Sequence, residues 1–232
     1  MSELRRNSDL IKELLDLPGK RVLDIGCGGG NLTRFMSRQS AIVTGIECNP
    51  RQMEKAIATE TTGSEKYVEA RGEALPTDDA SSDIVIYFNS LHHVPVEHQD
   101  NALGEAARVL VPNGQLYICE PVAEGPHFEM MRPIDDETYV RAEAYKSIKR
   151  SLGTLFTEYR EITYLHIVKH TDFDEFEEEM SRISPDRDAL FQVKRGQMRD
   201  AFVRFGTELP DGRTAFEQPM RVNLLMKLDP AS

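Results

Sequence analysis

The amino-acid sequence predicts an α/β domain, a mostly parallel sheet with helices on both faces. Short apolar runs alternate with amphipathic helical segments through the first half of the chain. A glycine cluster follows the first apolar run, and an acidic residue ends the second. Strands that alternate with helices pair in parallel and are covered by those helices. Ligands of such sheets bind at the carboxyl ends of the strands, where the glycines and the acidic residue would lie.

The first half of the chain predicts a helix followed by five strands. Ile11, Leu14 and Leu15 share one face of the opening helix. Pro50 stands where a first-turn proline is tolerated, at the start of the helix after the second strand. The turn residues Pro112, Asn113 and Gly114 precede the fifth strand. The predicted strands are 21–25, 41–46, 66–70, 83–88 and 115–119.

The last third has a different pattern, which predicts two further strands separated by helices. Helical spacing of apolar residues covers about 136–156, 173–183 and 187–205, and alternation predicts strands at 161–170 and 222–228. We therefore expect a single domain over 1–232. It would comprise a core at 20–121, a lid or insertion at about 125–160, and C-terminal strands and helices over 161–232.

The composition disfavours nucleic acids and membrane insertion. The chain has 232 residues and a formal net charge of −11, which disfavours the phosphate backbone of DNA or RNA as a partner. No apolar stretch at its N-terminus is long enough for secretion or stable membrane insertion. Cys27, Cys48 and Cys119 lie beside strand-like runs, which predicts buried thiols and a reducing, cytoplasmic compartment.

The segment after the first strand is the most informative. Gly26 and Gly28 lie between a strand and a helix, where glycines let backbone amides approach a ligand closely. A dinucleotide-binding pattern would need a third glycine at the position of Asn31. Asp24 ends the strand and would repel a phosphate, whereas a ligand with an ammonium group and no phosphate would suit it. S-adenosylmethionine has that composition.

Glu47 closes the second strand and indicates an adenosine ligand. A carboxylate at this point can accept hydrogen bonds from ribose hydroxyls, in a dinucleotide enzyme as well. Glu47 therefore supports an adenosine-containing ligand without distinguishing between these cofactors.

Five motifs follow one another in a fixed order within about 20–121: VLDIGCGGG, GIECNP, GEALPTDDASSDIV, FNSLHHV and RVLVPNGQLYICEP. This set resembles that of class I S-adenosylmethionine-dependent methyltransferases, especially the ubiquinone and menaquinone biosynthesis subgroup. The resemblance implies a Rossmann-like, seven-stranded sheet with an antiparallel C-terminal edge and helical lid insertions.

The resemblance also implies roles for individual residues, with S-adenosyl-L-methionine as cofactor and S-adenosyl-L-homocysteine as product. The loop would hold the methionine portion, Glu47 the ribose, and the positions after the fourth strand the sulfonium end. One departure concerns adenine, because Arg71 stands where relatives have an Asp that accepts from the adenine amino group. The implied cofactor-binding residues are Asp24, Gly26, Cys27, Gly28, Glu47, Cys48, Gly72, Glu73, Asn89 and Leu91.

No catalytic residue follows from the sequence, since alignment of nucleophile, methyl and sulfur can supply much of the acceleration. Candidates for a general base are His92, His93, Glu120, His127 and Tyr139. Adjacent histidines point apart in most backbones, so we predict no metal site.

The expected activity is C- or O-methylation of a small organic acceptor, quinone-like or a natural-product precursor. One alternative is a regulatory protein that binds the cofactor without methyl transfer. Another is a nucleotide-cofactor oxidoreductase, for which Asn31 and Asp24 are the wrong residues. The oligomeric state is open, with a homodimer as one option.

Overall fold

A computed structural model describes residues 3–181 and 185–229 of the protein. The strands follow the predicted alternation with helices along the first half of the chain. They are β1 (Arg21–Ile25), β2 (Ile42–Glu47), β3 (Lys66–Glu69), β4 (Ser82–Phe88), β5 (Leu110–Pro121), β6 (Phe156–His170), β7 (Thr207–Glu208) and β8 (Thr214–Lys227). The helices are α1 (Asn7–Leu14), α2 (Asn31–Ser37), α3 (Pro50–Ala58), α4 (Gln99–Val109), α5 (Pro126–Met131), α6 (Thr138–Ser151), α7 (Phe173–Ser181) and α8 (Pro185–Phe205).

The strands form one open sheet in the order β3-β2-β1-β4-β5-β8-β6, and the two-residue β7 pairs with β8. The first five strands pair in parallel, and the C-terminal strands are antiparallel. The predicted fold class is therefore confirmed. Strand order reverses between β1 and β4, so their carboxyl ends border the crevice where ligands of such sheets bind.

Several boundaries differ from the sequence prediction. β6 and β8 begin earlier than predicted, at Phe156 and Thr214. β5 begins at Leu110, because the expected turn at Asn113 is an irregularity inside the strand, with the register shifting between Ser82 and Ile84 of β4. The predicted helix over 136–156 is shorter, since α6 ends before Gly153, which adopts a left-handed φ of 77°.

The chain divides into two compact units. One comprises Ser8–Glu120, Val140–Ile162 and the segment from Arg221 onward. Its core packs β1, β4 and β5 against α4 and α6, with side chains such as Val85 and Leu103 fully buried. Every cofactor-binding residue predicted above belongs to this unit.

The other unit comprises the residues up to Asn7, Pro121–Tyr139 and Thr163–Met220. Its core is an aromatic cluster whose ring centroids lie 5.0 to 6.1 Å apart. The predicted lid at about 125–160 is thus divided between the units, and the predicted domain organisation stays a prediction. The clustered phenylalanines are Phe173, Phe176, Phe191, Phe202 and Phe216.

None of the helices in the described part of the chain combines the length and hydropathy needed to cross a bilayer.

Candidate active site

The chain turns sharply after β1, because three glycines adopt positive φ there. Gly26, Gly28 and Gly30 have φ of 72°, 54° and 78°, a region open to glycine and costly for other residues. The Gly26 amide donates to the Ile46 carbonyl at 2.8 Å and ties the loop to the end of β2. A β-carbon at Gly26 would lie 2.5 Å from Ser90 Cβ. The loop therefore needs glycine both for its conformation and for its close approach to the segment after β4.

Asn31 supports this loop from the first position of α2. The buried Arg34 donates from Nη2 to Asn31 Oδ1 at 3.0 Å and to the Gly29 carbonyl at 2.6 Å. A glycine at position 31 would remove the first of these bonds. Asn31, which departs from the dinucleotide-binding pattern, thus stabilises this loop through Arg34.

Asp24 lies under the loop, with only 1% of its surface exposed. Burial raises the pKa of its carboxyl, a hydrogen bond from Thr33 lowers it, and the nearby charge of Glu47 raises it; the resulting pKa is about 6. Thr33 Oγ1 donates to Asp24 Oδ2 at 2.6 Å. Because the carboxyl is buried and already hydrogen-bonded, it acts on a ligand chiefly through its charge.

Cys27 contributes backbone rather than side chain to the loop. Its thiol is buried, and that burial raises its pKa. Its amide donates to the Ile46 carbonyl at 3.0 Å. Because the thiol is buried, Cys27 presents no reactive side chain at the surface of the loop.

Glu47, at the end of β2, accepts hydrogen bonds from three backbone amides and so connects the glycine loop to the segment after β2. Its Oε2 accepts from the Gly28 amide at 2.8 Å, and its Oε1 accepts from the Cys48 and Asn49 amides at 2.9 and 2.7 Å. A carboxylate offers about four acceptor positions. Acceptor capacity therefore remains beside the glycine loop, where a ribose hydroxyl can donate.

The residues predicted for adenine lie at the ends of β2 and β3. Gly72 packs on the sheet, since a β-carbon there would lie 3.1 Å from Ile25 Cγ2. Arg71 is exposed and lies 3.7 Å from the Glu73 carboxylate. Cys48 is also exposed, so the prediction of a buried thiol is wrong for this cysteine. It follows the last residue of β2, where the chain has already left the covered sheet.

The segment after β4 is anchored to both neighbouring strands. Asn89 adopts a left-handed φ of 52°. Ser90 Oγ donates to the Ile25 carbonyl of β1 at 2.6 Å. The amides of Ser90 and Leu91 donate to Glu120 Oε1, at the end of β5, at 3.1 and 2.9 Å. Asn89 and Leu91 are thereby held beside the glycine loop.

His92 and His93 follow in a short 3₁₀ turn. The His92 side chain is 2% exposed, and its Nδ1 contacts Glu120 Oε2. His93 is exposed, and its ring centroid lies 4.1 Å from that of His92. Two of the five candidate bases, His92 and Glu120, are thus brought into direct contact.

The other two candidates belong to the second unit. His127 Nδ1 lies 3.2 Å from Gln218 Oε1, and Tyr139 is 65% exposed.

Sequence reasoning missed Ser90 and Thr33 as supporting residues. Neither has a spacing that marks it, because the partner of each lies on another strand or helix. The role of Glu120 as an acceptor for backbone amides was likewise not predicted. Only the pairing of β5 with β4 brings it to them.

A curated relative decides the family. The ubiquinone/menaquinone biosynthesis C-methyltransferase UbiE of Shewanella pealeana is 32% identical over 210 residues, which cover 87% of this chain and 74% of that protein. The chain is a class I S-adenosylmethionine-dependent methyltransferase. This family assignment confirms the resemblance inferred from the motifs.

Other similarities of this methyltransferase agree with the family assignment. Residues 23–118 match the family described as methyltransferase domain. A 27-O-demethylrifamycin SV methyltransferase of Amycolatopsis mediterranei is 38% identical over 117 residues, 48% of this chain and 42% of that protein. A solved S-adenosylmethionine-dependent methyltransferase of Methanosarcina mazei has a TM-score of 0.58 at 17% identity, covering 94% of this chain and 97% of that one. This last likeness shows the fold alone.

The residues of the methyltransferase fit the cofactor that its family and fold imply, S-adenosylmethionine. The cofactor carries a sulfonium and an ammonium group but no phosphate. The site offers two neighbouring carboxylates, Asp24 and Glu47, whose mutual repulsion a cationic ligand would relieve. A phosphate in the same place would add to that repulsion.

Proposed function

We propose that the enzyme methylates a carbon or an oxygen of a small organic acceptor, either quinone-like or a precursor of a natural product. Two of its relatives bear names of this kind, a C-methyltransferase of quinone biosynthesis and a rifamycin O-methyltransferase. The net charge of −11 supports a small molecule rather than a nucleic acid as acceptor. Cys27 and Cys48 form no disulfide, which supports a reducing, cytoplasmic location.

The observation that carries the methyl-transfer part of the proposal is the pair of carboxylates, Asp24 and Glu47, beside the glycine loop. S-adenosylmethionine would supply an electrophilic methyl group bound to its sulfonium. Asp24 would favour the cationic ligand through its charge, and the loop from Gly26 to Gly28 would line its methionine portion. Glu47 would accept from the ribose. Asn89 and Leu91 would border the sulfonium, with Cys48, Gly72 and Glu73 beside the adenine.

Calorimetry with S-adenosylhomocysteine, and with NAD as the competing candidate, tests the cofactor part. We expect the wild-type protein to bind the sulfur ligand and not NAD. Glu47→Gln should weaken binding about tenfold, which corresponds to about 1.4 kcal/mol. Glu69→Gln, on the neighbouring strand, is the matched control and should bind as the wild type does. Tight binding of NAD would contradict the proposal.

A methyl-transfer assay tests the acceptor part. The wild-type enzyme is incubated with labelled S-adenosylmethionine and a panel of hydroxylated aromatics, amines and a short DNA duplex. Transfer to the hydroxylated aromatics supports the proposal, and transfer to DNA contradicts it. Ligand binding without transfer to any acceptor would favour the regulatory alternative.

A further inference from the structure

Arg221 of β8 is a partly buried arginine whose charge is not used in the site described above. Its Nε is buried and has no hydrogen-bond partner among residues 3–181 and 185–229. Its guanidinium carbon lies 3.9 Å from the centroid of the Tyr145 ring of α6. A buried polar group without a partner is uncommon in proteins, and it is costly when the group carries a charge. Such a group indicates that a ligand supplies the acceptor.

The polar network around Tyr145 holds the ring in place without using Arg221. The Tyr145 hydroxyl donates to Glu161 Oε2 at 3.1 Å. The same oxygen accepts from Lys149 Nζ and Asn223 Nδ2, each at 2.8 Å. Tyr145 therefore offers Arg221 the face of its ring. The N–H groups of a stacked guanidinium lie in the guanidinium plane, where they stay available to a planar acceptor.

The pairing of β8 with β5 determines where Arg221 lies along the sheet. The Val122 amide donates to the Pro219 carbonyl at 2.8 Å. Antiparallel pairing continued from this bond, two residues along each strand, places Arg221 opposite Glu120. Further along, the same register places Leu116 opposite Leu225, and both of these leucines are buried in the core that α6 covers.

The position opposite Glu120 is close to the cofactor site. Glu120 Oε1 accepts from the Ser90 and Leu91 amides at 3.1 and 2.9 Å, and its Oε2 contacts the His92 ring. Ser90 borders the glycine loop. Arg221 therefore lies one strand beyond the wall that carries the loop, at the end of the sheet where ligands of this fold bind.

The charge and shape of the guanidinium determine which ligand suits it. One guanidinium balances one negative charge, and its parallel N–H groups match the two oxygens of a carboxylate. A phosphate ester carries nearly two negative charges, and the carboxylates of Glu120 and Glu161 lie in the same region. A neutral quinone would leave the charge of Arg221 without a counterion. A carboxylate is therefore the group that fits.

Resting on the methyl transfer proposed above, we propose that Arg221 binds a carboxylate of the acceptor and determines specificity for it. Two N–H groups of the guanidinium donate to the two carboxylate oxygens. The Tyr145 ring is the platform that keeps the guanidinium in this orientation. The acceptor is then a small organic acid, and the atom that receives the methyl group belongs to the same molecule.

Calorimetry of the full-length protein saturated with S-adenosylhomocysteine tests this specificity. The probes are 3,4-dihydroxybenzoate and 3,4-dihydroxybenzamide, which have nearly the same shape and differ in charge. We expect the wild-type protein to bind the acid at least about tenfold more tightly than the amide. Arg221→Gln should raise the Kd of the acid about 10- to 100-fold and change that of the amide little.

Two further variants separate recognition from folding. Arg221→Met keeps an unbranched side chain beside Tyr145 without the charge, so it should lose the preference for the acid as Arg221→Gln does. Arg38→Gln, at an exposed arginine after α2, is the matched control and should keep the wild-type preference. The Kd of each variant for S-adenosylhomocysteine is measured first, and we expect it to equal that of the wild type.

Equal affinity of the wild-type protein for acid and amide would overturn the proposal, as would failure of the acid to bind. A preference for the acid that survives in Arg221→Gln or Arg221→Met would overturn it as well. Failure of the proposed function is distinguishable, because the wild-type protein would then not bind S-adenosylhomocysteine. Failure of this inference leaves that binding intact.

Discussion

Replacing Asp24 by Asn should stabilise the protein, which is unusual for a buried polar residue. The variant keeps a carbonyl oxygen that can accept from Thr33 Oγ1, now 2.6 Å from the carboxylate. It removes the negative charge that burial disfavours, and it removes the repulsion with Glu47. The folded protein therefore loses an unfavourable interaction and keeps the favourable one.

The magnitude follows from the pKa of Asp24. Burial raises this pKa from 3.8 to about 6 in the folded protein, and such a rise costs about 3 kcal/mol of unfolding free energy well above pH 6. The folded state holds its proton to higher pH than the unfolded chain. The cost is therefore absent well below pH 4 and develops as the pH rises to about 6. At pH 4.5 it amounts to about 1 kcal/mol.

Urea unfolding of wild type and variant at pH 8 and pH 4.5, followed by circular dichroism, checks this expectation. Asp24→Asn should raise the unfolding free energy by about 3 kcal/mol at pH 8 and by about 1 kcal/mol at pH 4.5. Asp83→Asn is a control of opposite sign, since hydrogen bonds from Arg21 lower the pKa of Asp83. A gain for Asp24→Asn that is the same at both pH values would refute the reasoning.

Three further outcomes follow from the site. Gly26→Ala should lower the unfolding free energy by about 2 to 4 kcal/mol, because strain at positive φ adds to the clash with Ser90. Gly19→Ala, at a similar φ but in open space, should cost only about 1 kcal/mol in the same denaturant experiment. Equal losses of unfolding free energy in the two variants would contradict a clash between Ser90 and a side chain at position 26. Iodoacetamide should label Cys48 and spare the two buried thiols in mass spectrometry of the native protein. Saturating S-adenosylhomocysteine should slow that labelling, and an unchanged rate would contradict the adenine placement. Arg71→Asp supplies an acceptor for the adenine amino group, so calorimetry should show a ligand Kd about fivefold lower. Weaker binding would contradict the placement of residue 71 beside the adenine amino group.

Most of the parallel half of the fold could be predicted from the sequence, because its signals are local. β1 was predicted with its observed bounds, and the other early strands begin or end within about one residue of the predicted positions apart from β5. The register shift opposite Ser82 explains that exception, since it lets a turn sequence stay inside a strand. Helical spacing continued past Ser151, but Gly153 ends the helix through a backbone conformation that spacing does not encode.

The sequence by itself determined the glycine loop after β1 and the carboxylates at the ends of β1 and β2. These depend on strand periodicity and on the φ that only glycine adopts without strain. Only the tertiary structure decided that Thr33 bonds to Asp24, and that Glu120 bonds to both the Ser90 amide and His92. Parallel pairing of β4 and β5 places Phe88 opposite Cys119, so the residues that follow them meet although they are far apart in the chain. Strand order and register are properties of the whole sheet, and no local pattern specifies which side chains they bring into contact.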